Sequence, residues 1–99
     1  GAVKVRFQSI LPEIVEGNTI IDAANIQLTA HGKGTYIEDI VLHNTGDVMP
    51  HEAYLKSLTG PETINGQVLN STIRFPMNLT LQPGEIKYYT VQFAVDGEE

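Results

Sequence analysis

The residues best suited to metal chemistry are the three histidines, His31, His43 and His51. If they converged in space they would hold a metal ion, with Asp47 or Glu52 completing the coordination shell. Their spacing matches no zinc signature, and histidines near strand ends are commonly exposed polar residues. A cluster of histidines titrating between about pH 5 and 8 would alternatively tune assembly. We predict no metal site and no cofactor.

Carboxylates and hydroxyls are the other groups with catalytic potential. Glu38 and Asp39 are adjacent in a predicted strand, so they point to opposite faces and cannot share a concave site for general acid–base work. Serines occur at positions 9, 57 and 71, but none lies in the Gly-x-Ser-x-Gly turn that exposes a nucleophile. The chain has no cysteine, which removes thiolate catalysis and disulfides. We therefore predict that the protein is not an enzyme.

Charge and hydropathy restrict the partners. The formal net charge is −6, and the basic residues are scattered rather than clustered, which disfavours nucleic acid and anionic membrane surfaces. No apolar run approaches the roughly 18–20 residues that span a bilayer, so we expect no membrane insertion by this segment. Since Gly1 and Ala2 stand where an initiator Met is expected, we also expect a domain excised from a longer chain.

Alternating hydrophobicity predicts strands at 2–10, 24–31, 35–43 and 86–95. Turn-forming residues recur about every 8–12 residues along the chain, which is typical of β-sandwiches. We predict a single all-β domain over 1–99, an antiparallel immunoglobulin-like sandwich of about seven to eight strands. We expect turns at 17–18 and 44–47, and a flexible tail at 96–99.

The pattern also predicts how some strands are arranged. We expect hairpins at 32–34 and at Asn65-Gly66, and a strand at 71–75 that ends before Pro76. The segment 35–43 is apolar on both faces, with Ile37 and Val41 sharing one of them, which is typical of a central strand. The segment 50–58 is compatible with a short helix or a strand; we favour the strand because its surroundings are β.

Two segments carry a resemblance to a known group of proteins. They are 40–46 (IVLHNTG) and 81–85 (LQPGE), followed by the strand predicted at 88–95. In this respect the chain resembles extracellular immunoglobulin-like modules, including CARDB-type domains, some cellulose-binding modules and the soluble domains of archaeal flagellar stator proteins. The resemblance implies an immunoglobulin-like fold and an extracellular or cell-surface location. The absence of tryptophan departs from the cellulose-binding pattern.

The candidate binding residues are apolar and aromatic side chains expected on an outer face. Ile86 and Tyr88 belong to the last strand, and we expect them to lie beside Ile37 and Val41 as one contiguous patch, unless a loop or the tail covers it. Such a patch predicts a protein-interaction or structural module that binds a protein partner or self-associates. The alternative is a carbohydrate-binding module that stacks sugars on Tyr54, Tyr88 and Phe75. The sequons at Asn70 and Asn78 are compatible with secretion.

Overall fold

The computed structural model describes residues 1–11, 19–44 and 50–95. These residues form eight β-strands: β1 (Ala2–Ser9), β2 (Thr19–His31), β3 (Thr35–His43), β4 (Glu52–Ser57), β5 (Thr63–Asn65), β6 (Gln67–Leu69), β7 (Thr72–Leu81) and β8 (Ile86–Val95). No helix occurs among them, and hence none that is long and apolar enough to cross a membrane. The all-β prediction is confirmed. The turns predicted at 17–18 and 45–47 and the tail at 96–99 lie outside the described residues.

The strands form two antiparallel sheets with a common core. The large sheet has five strands in the order β1-β2-β8-β4-β5, and the small sheet has three in the order β3-β7-β6. Every strand pair is antiparallel. Side chains from both sheets fill the core, with Leu28, Leu55 and Val91 from the large sheet and Ile73 and Phe75 from the small sheet. The architecture is therefore sandwich-like.

The segment 50–58 contains strand β4 rather than a helix. Ala53 and Leu55 are buried between the sheets, whereas Tyr54 and Lys56 point away from the core. This alternation has the two-residue period of a strand. Pairing with both β8 and β5 satisfies the backbone of β4 and places it inside the large sheet. The strand prediction is confirmed.

The two connections predicted as hairpins instead carry the chain from one sheet to the other. β2 and β3, which flank 32–34, belong to different sheets, and so do β5 and β6, which flank Gly66. The Gly66 amide donates to the carbonyl of Ala53 at 2.7 Å. A Cβ on Gly66 would lie 2.7 Å from Cε1 of Phe75. Glycine is needed here because the backbone passes close to the core, and not because of a type I′ turn.

The prediction that β3 is a central strand is wrong. Among the described residues it pairs with β7 alone, so it lies at the edge of the small sheet. The register shifts between Ile37 and Asp39, where Glu38 faces two residues of β7. Because of this bulge, Ile37 packs on the core together with Ile40 and Leu42, while Val41 is exposed. Ile37 and Val41 therefore do not share a face.

Strand β7 continues past the point where the sequence predicted its end. It runs through Pro76 to Leu81 instead of stopping at Phe75. Pro76 lies opposite Asp39, next to the bulge, which is a position where proline is tolerated in a sheet. Asn78 follows with a φ of 47°, a left-handed conformation that asparagine adopts more readily than most residues.

Candidate functional site: the open side of the sandwich

The contiguous patch expected from the sequence does not form. Ile86 and Tyr88 are exposed on β8 of the large sheet, whereas Ile37 and Val41 belong to β3 of the small sheet. Ile37 also faces the core. The physical reason is long-range: β3 and β8 are in different sheets, so their outer faces point in opposite directions.

Tyr54 and Tyr88 do share a surface, the outer face of the large sheet. Tyr54 lies opposite Gln92, and Tyr88 lies opposite Gln27. Residues at alternate positions of β8 point to the same face, so Tyr88 and Gln92 are on one side. The surroundings of Tyr88 are mostly polar; it lines a shallow cleft of about 270 Å³ with residues that include Arg6, Gln8, Asn25, Gln27 and Leu58. Phe75 is completely buried and cannot stack on a ligand.

The start of β4 holds a small group of polar side chains. The Tyr54 hydroxyl donates a hydrogen bond to the carboxylate of Glu52. The Nε2 atom of His51 lies 3.7 Å from the other carboxylate oxygen of Glu52. The hydrogen bond to Glu52, with smaller contributions from desolvation and from the Glu52 charge, raises the pKa of Tyr54 above its usual 10.0. A phenol with a raised pKa is a weaker acid, so this arrangement does not activate Tyr54 for proton transfer.

The histidines are spread over the molecule. His31 lies opposite Ala2 at the start of β1, whereas His43 lines a cleft with Ser9 and Leu11 at the other end of that strand. His51 follows Pro50, and its amide donates to the carbonyl of Ala94. Within 1–11, 19–44 and 50–95, no three metal-ligating side chains come together. Asp47, named above as a possible ligand, lies outside these ranges.

The feature that the sequence did not predict is an open side of the sandwich. There β1, at the edge of the large sheet, lies near β3, at the edge of the small sheet. The two strands border a cleft of about 320 Å³, to which β1 contributes Phe7 and Ser9 and β3 contributes Leu42 and His43. We use the term open side for the inner face of β1 together with the outer edge of β3.

The inner face of β1 is apolar and exposed. Val5 lies opposite Leu28, and Phe7 lies opposite Ile26. Directly opposed residues in antiparallel strands share a face, so all of them point inward. Leu28 and Ile26 are almost completely buried, but Val5 is 57% exposed and Phe7 is 52% exposed. The small sheet has two strands fewer than the large sheet, and among the described residues it leaves the inner face of β1 uncovered at Val5 and Phe7.

The outer edge of β3 is the second component of the open side. Within the part of the chain that the structure describes, no strand pairs with this edge. An unpaired edge presents backbone N–H and C=O groups to any strand that approaches, and proteins usually protect such edges with charged side chains, proline or β-bulges. In β3 the charged residues Glu38 and Asp39 and the bulge opposite Glu38 lie in the middle of the strand, so these features leave the edge at 40–43 unprotected.

Alternation in 2–10 correctly predicts that Val3, Val5 and Phe7 share a face, but nothing in that segment distinguishes a covered face from an uncovered one. The sequence therefore suggested core positions where the structure has a surface. The opposite side of the sandwich is different, because the connection through Gly66 closes it with a hydrogen bond to Ala53. The open side arises because the large sheet has more strands than the small sheet. The number of strands in each sheet cannot be read from the local sequence pattern of any one strand.

Comparison with protein-family models, curated proteins and solved structures found no match for this chain.

Proposed function

We propose that this protein is a non-catalytic protein-interaction or structural module with an immunoglobulin-like sandwich fold, acting in an extracellular or cell-surface assembly. The observation that carries the proposal is the open side, where the apolar inner face of β1 is exposed beside the unpaired edge of β3. The extracellular location is supported by the resemblance of 40–46 and 81–85 to extracellular modules.

A polypeptide is the ligand that matches both components of the open side. The edge of β3 offers backbone hydrogen bonds, which a strand from another polypeptide satisfies along its whole length. Val5 and Phe7 offer apolar surface, which alternate side chains of such a strand would cover. A small polar ligand would use neither. The open side therefore favours a protein partner.

The polar groups near the clefts are not arranged for catalysis, which supports a non-catalytic role. The cleft at the open side is lined mainly by apolar residues, among them Phe7, Leu42 and Phe93. Its polar members include His43 and Ser9, and Ser9 lies in a regular strand rather than in a sharp turn that would expose a nucleophile. At the start of β4, the raised pKa of Tyr54 opposes proton transfer.

Site-specific photo-crosslinking tests the proposal. Benzoylphenylalanine placed at position 7 should form adducts with another polypeptide chain, and the adduct should weaken when Val5→Ser is added. The same probe at position 69 is the matched control, since Leu69 is exposed on β6 of the small sheet, which contributes no residue to the cleft at the open side. Absence of any intermolecular adduct at position 7, or equal adducts at both positions, would contradict the proposal.

Carbohydrate binding is the second candidate, and one observation favours it. Tyr54 and Tyr88 lie on the same outer face of the large sheet, with Gln27 and Gln92 directly opposite them. Aromatic rings flanked by amides stack on sugar rings and bond their hydroxyls. Retention on a panel of polysaccharides tests this, and Tyr88→Ala should abolish it. Tyr36→Ala, on the small sheet, is the control; no retention of the wild-type chain would eliminate this candidate.

A further inference from the structure

We propose that the occupant of the open side is a second copy of this chain, in a two-fold dimer in which β1 of each protomer pairs with β3 of the other. This inference rests on the proposed function, because it identifies the partner at the same surface. Three features of the structure support the dimer: the offset of the two sheets, the direction of the strands and the charges along both edges.

The offset of the sheets makes the molecule complementary to itself. Among the described residues, the large sheet projects beyond the small sheet by β1 on the open side, and next to the exposed Val5 and Phe7 this leaves room for one more strand beside β3. A rotation of 180° about an axis parallel to the strands exchanges the large and small sheets. It brings β1 of the second copy into the space beside β3, and β3 of the second copy beside the free edge of β1. Each resulting sheet would have eight strands, five from one protomer and three from the other.

The strand directions are compatible with this pairing. A Cβ on Gly1 would lie 2.7 Å from the Thr35 hydroxyl, so β1 and β3 begin near each other. At the other end, Phe7 and Leu42 line the same cleft. The two strands therefore run in the same direction, and rotation about an axis parallel to them preserves that direction. The intermolecular pair is parallel, which needs no crossover connection because the strands belong to separate chains.

The apolar inner faces of β1 would meet across the two-fold axis. In the dimer, Val5 and Phe7 of one protomer face the same residues of the other. This is the isologous contact expected of a two-fold interface. Residues that are exposed in one protomer would then extend the core continuously from one sandwich into the next, and two strand edges per protomer would gain backbone hydrogen bonds.

Charge favours the pairing of β1 with β3 over either strand pairing with itself. The outward residues of β1 include Lys4 and Arg6, whereas those of β3 include Glu38. Asp39 is also on β3, but its carboxylate already accepts a hydrogen bond from Arg74 at 2.8 Å. Edge-to-edge pairing of β1 with β1 would place the basic residues on adjacent strands, and edge-to-edge pairing of β3 with β3 would do the same for the acidic residues. Opposite charges on adjacent strands are stabilising and like charges are destabilising.

Sedimentation velocity of the full chain over a concentration series is the direct test. We expect a dimer that dissociates on dilution. Phe7→Glu should weaken dimerisation at least tenfold, whereas Leu69→Glu should leave it unchanged. Lys4→Glu and Glu38→Lys should each weaken it, and the double substitution should restore it. Circular dichroism checks that each variant is folded.

A thiol cross-linking test does not require a charge to be introduced at the interface. The chain has no cysteine, so a single introduced thiol reacts only between molecules. Because packed sheets lie about 10 Å apart, a bismaleimide that spans this distance should convert Phe7→Cys and Val5→Cys into covalent dimers, and it should not do so for Leu69→Cys at the same concentration. Equal covalent dimerisation of the three variants would overturn the inference.

The outcomes separate this inference from the proposed function. A strict monomer whose position 7 cross-links to a different protein overturns the second-copy inference and leaves the proposed function in place. A monomer whose position 7 cross-links only within its own chain overturns both, because another segment then covers the open side. A dimer that tolerates Phe7→Glu also overturns the inference, since the copies then meet elsewhere.

Discussion

Phe7 of β1 and Ile26 of β2 lie directly opposite each other on the inner face of the large sheet, yet Phe7 is 52% exposed and Ile26 is 2% exposed. Both residues obey the same alternation, and both point toward the small sheet. The difference arises because the small sheet reaches the position of Ile26 and does not reach that of Phe7. This relationship defines the open side, the surface that we propose binds a second copy of the chain.

Phe7 and Phe75 offer a matched comparison, because the side chains are identical and only their burial differs. Phe75→Ala should destabilise the protein by about 3–5 kcal/mol, as expected for a completely buried phenylalanine. Phe7→Ala should cost less than about 1.5 kcal/mol, since much of the ring already contacts water. Urea unfolding at a protein concentration low enough to keep the chain monomeric measures both values. Similar losses for the two variants would show that the inner face of β1 is covered in the monomer.

Gly66 should not tolerate a side chain. A Cβ there would lie 2.7 Å from Cε1 of Phe75, so Gly66→Ala must displace part of the core and should cost about 1–3 kcal/mol. Gly60→Ala is the control. The Cβ at position 60 would approach Oε2 of Glu62, the end of a flexible side chain that can move away. Thermal unfolding should therefore show a lower Tm for the first variant and little change for the second.

Tyr89 should make the stability sensitive to alkaline pH. Burial, followed by the negative charges of Glu62 and Glu85, raises the pKa of Tyr89 above 10.0. The folded protein therefore holds this proton to a higher pH than the unfolded chain does. The contribution of Tyr89 to the free energy of unfolding is complete below about pH 10, and it is lost as the pH rises through the pKa of Tyr89 in the folded state. Urea unfolding between pH 8 and 11 or so should show the loss, and Tyr89→Phe should reduce it.

The control for the alkaline experiment is Tyr36→Phe, because Tyr36 is exposed and lies on the other sheet. That variant should keep the wild-type loss of stability at high pH. If Tyr89→Phe and Tyr36→Phe behaved alike, the buried hydroxyl of Tyr89 would not be the group responsible.

Asn78 should contribute through its backbone conformation and through its side chain. Its φ is 47°, and its Oδ1 accepts a hydrogen bond from the Tyr36 hydroxyl at 2.7 Å. Asn78→Ala loses the hydrogen bond and strains the left-handed backbone, so we expect a loss of about 1–2 kcal/mol. Asn78→Gly loses the hydrogen bond without that strain and should cost less. Chemical unfolding of both variants separates the two contributions; an equal cost would mean that the backbone conformation is unstrained.

Part of the candidate binding surface was predictable from local pattern. Tyr54 and Lys56 alternate with Ala53 and Leu55, which correctly predicts a strand with Tyr54 on its outer face. In the same way, the buried Tyr89 predicts an exposed Tyr88. The contiguous patch was wrong because Ile37 and Val41 were assigned to one face by strict alternation. The bulge opposite Glu38 changes that alternation, and it lies in β7, a strand more than thirty residues away in the chain.

The sequence by itself determined the class of fold and the orientation of most strand residues. Period-two hydrophobicity is a local property, because neighbouring side chains in a strand must point to opposite faces. It therefore predicted an all-β chain, a strand rather than a helix within 50–58 and the common face of Val3, Val5 and Phe7.

Only the tertiary structure decided which strands share a sheet and what lies opposite each face. Asn65-Gly66 has the composition of a hairpin turn, but the chain there crosses between sheets beside Phe75. Val5 and Phe7 have the pattern of core residues, but no strand among the described residues covers them. Sheet membership depends on pairings between residues far apart in the chain, and alternation specifies the face of a side chain without specifying what packs on it.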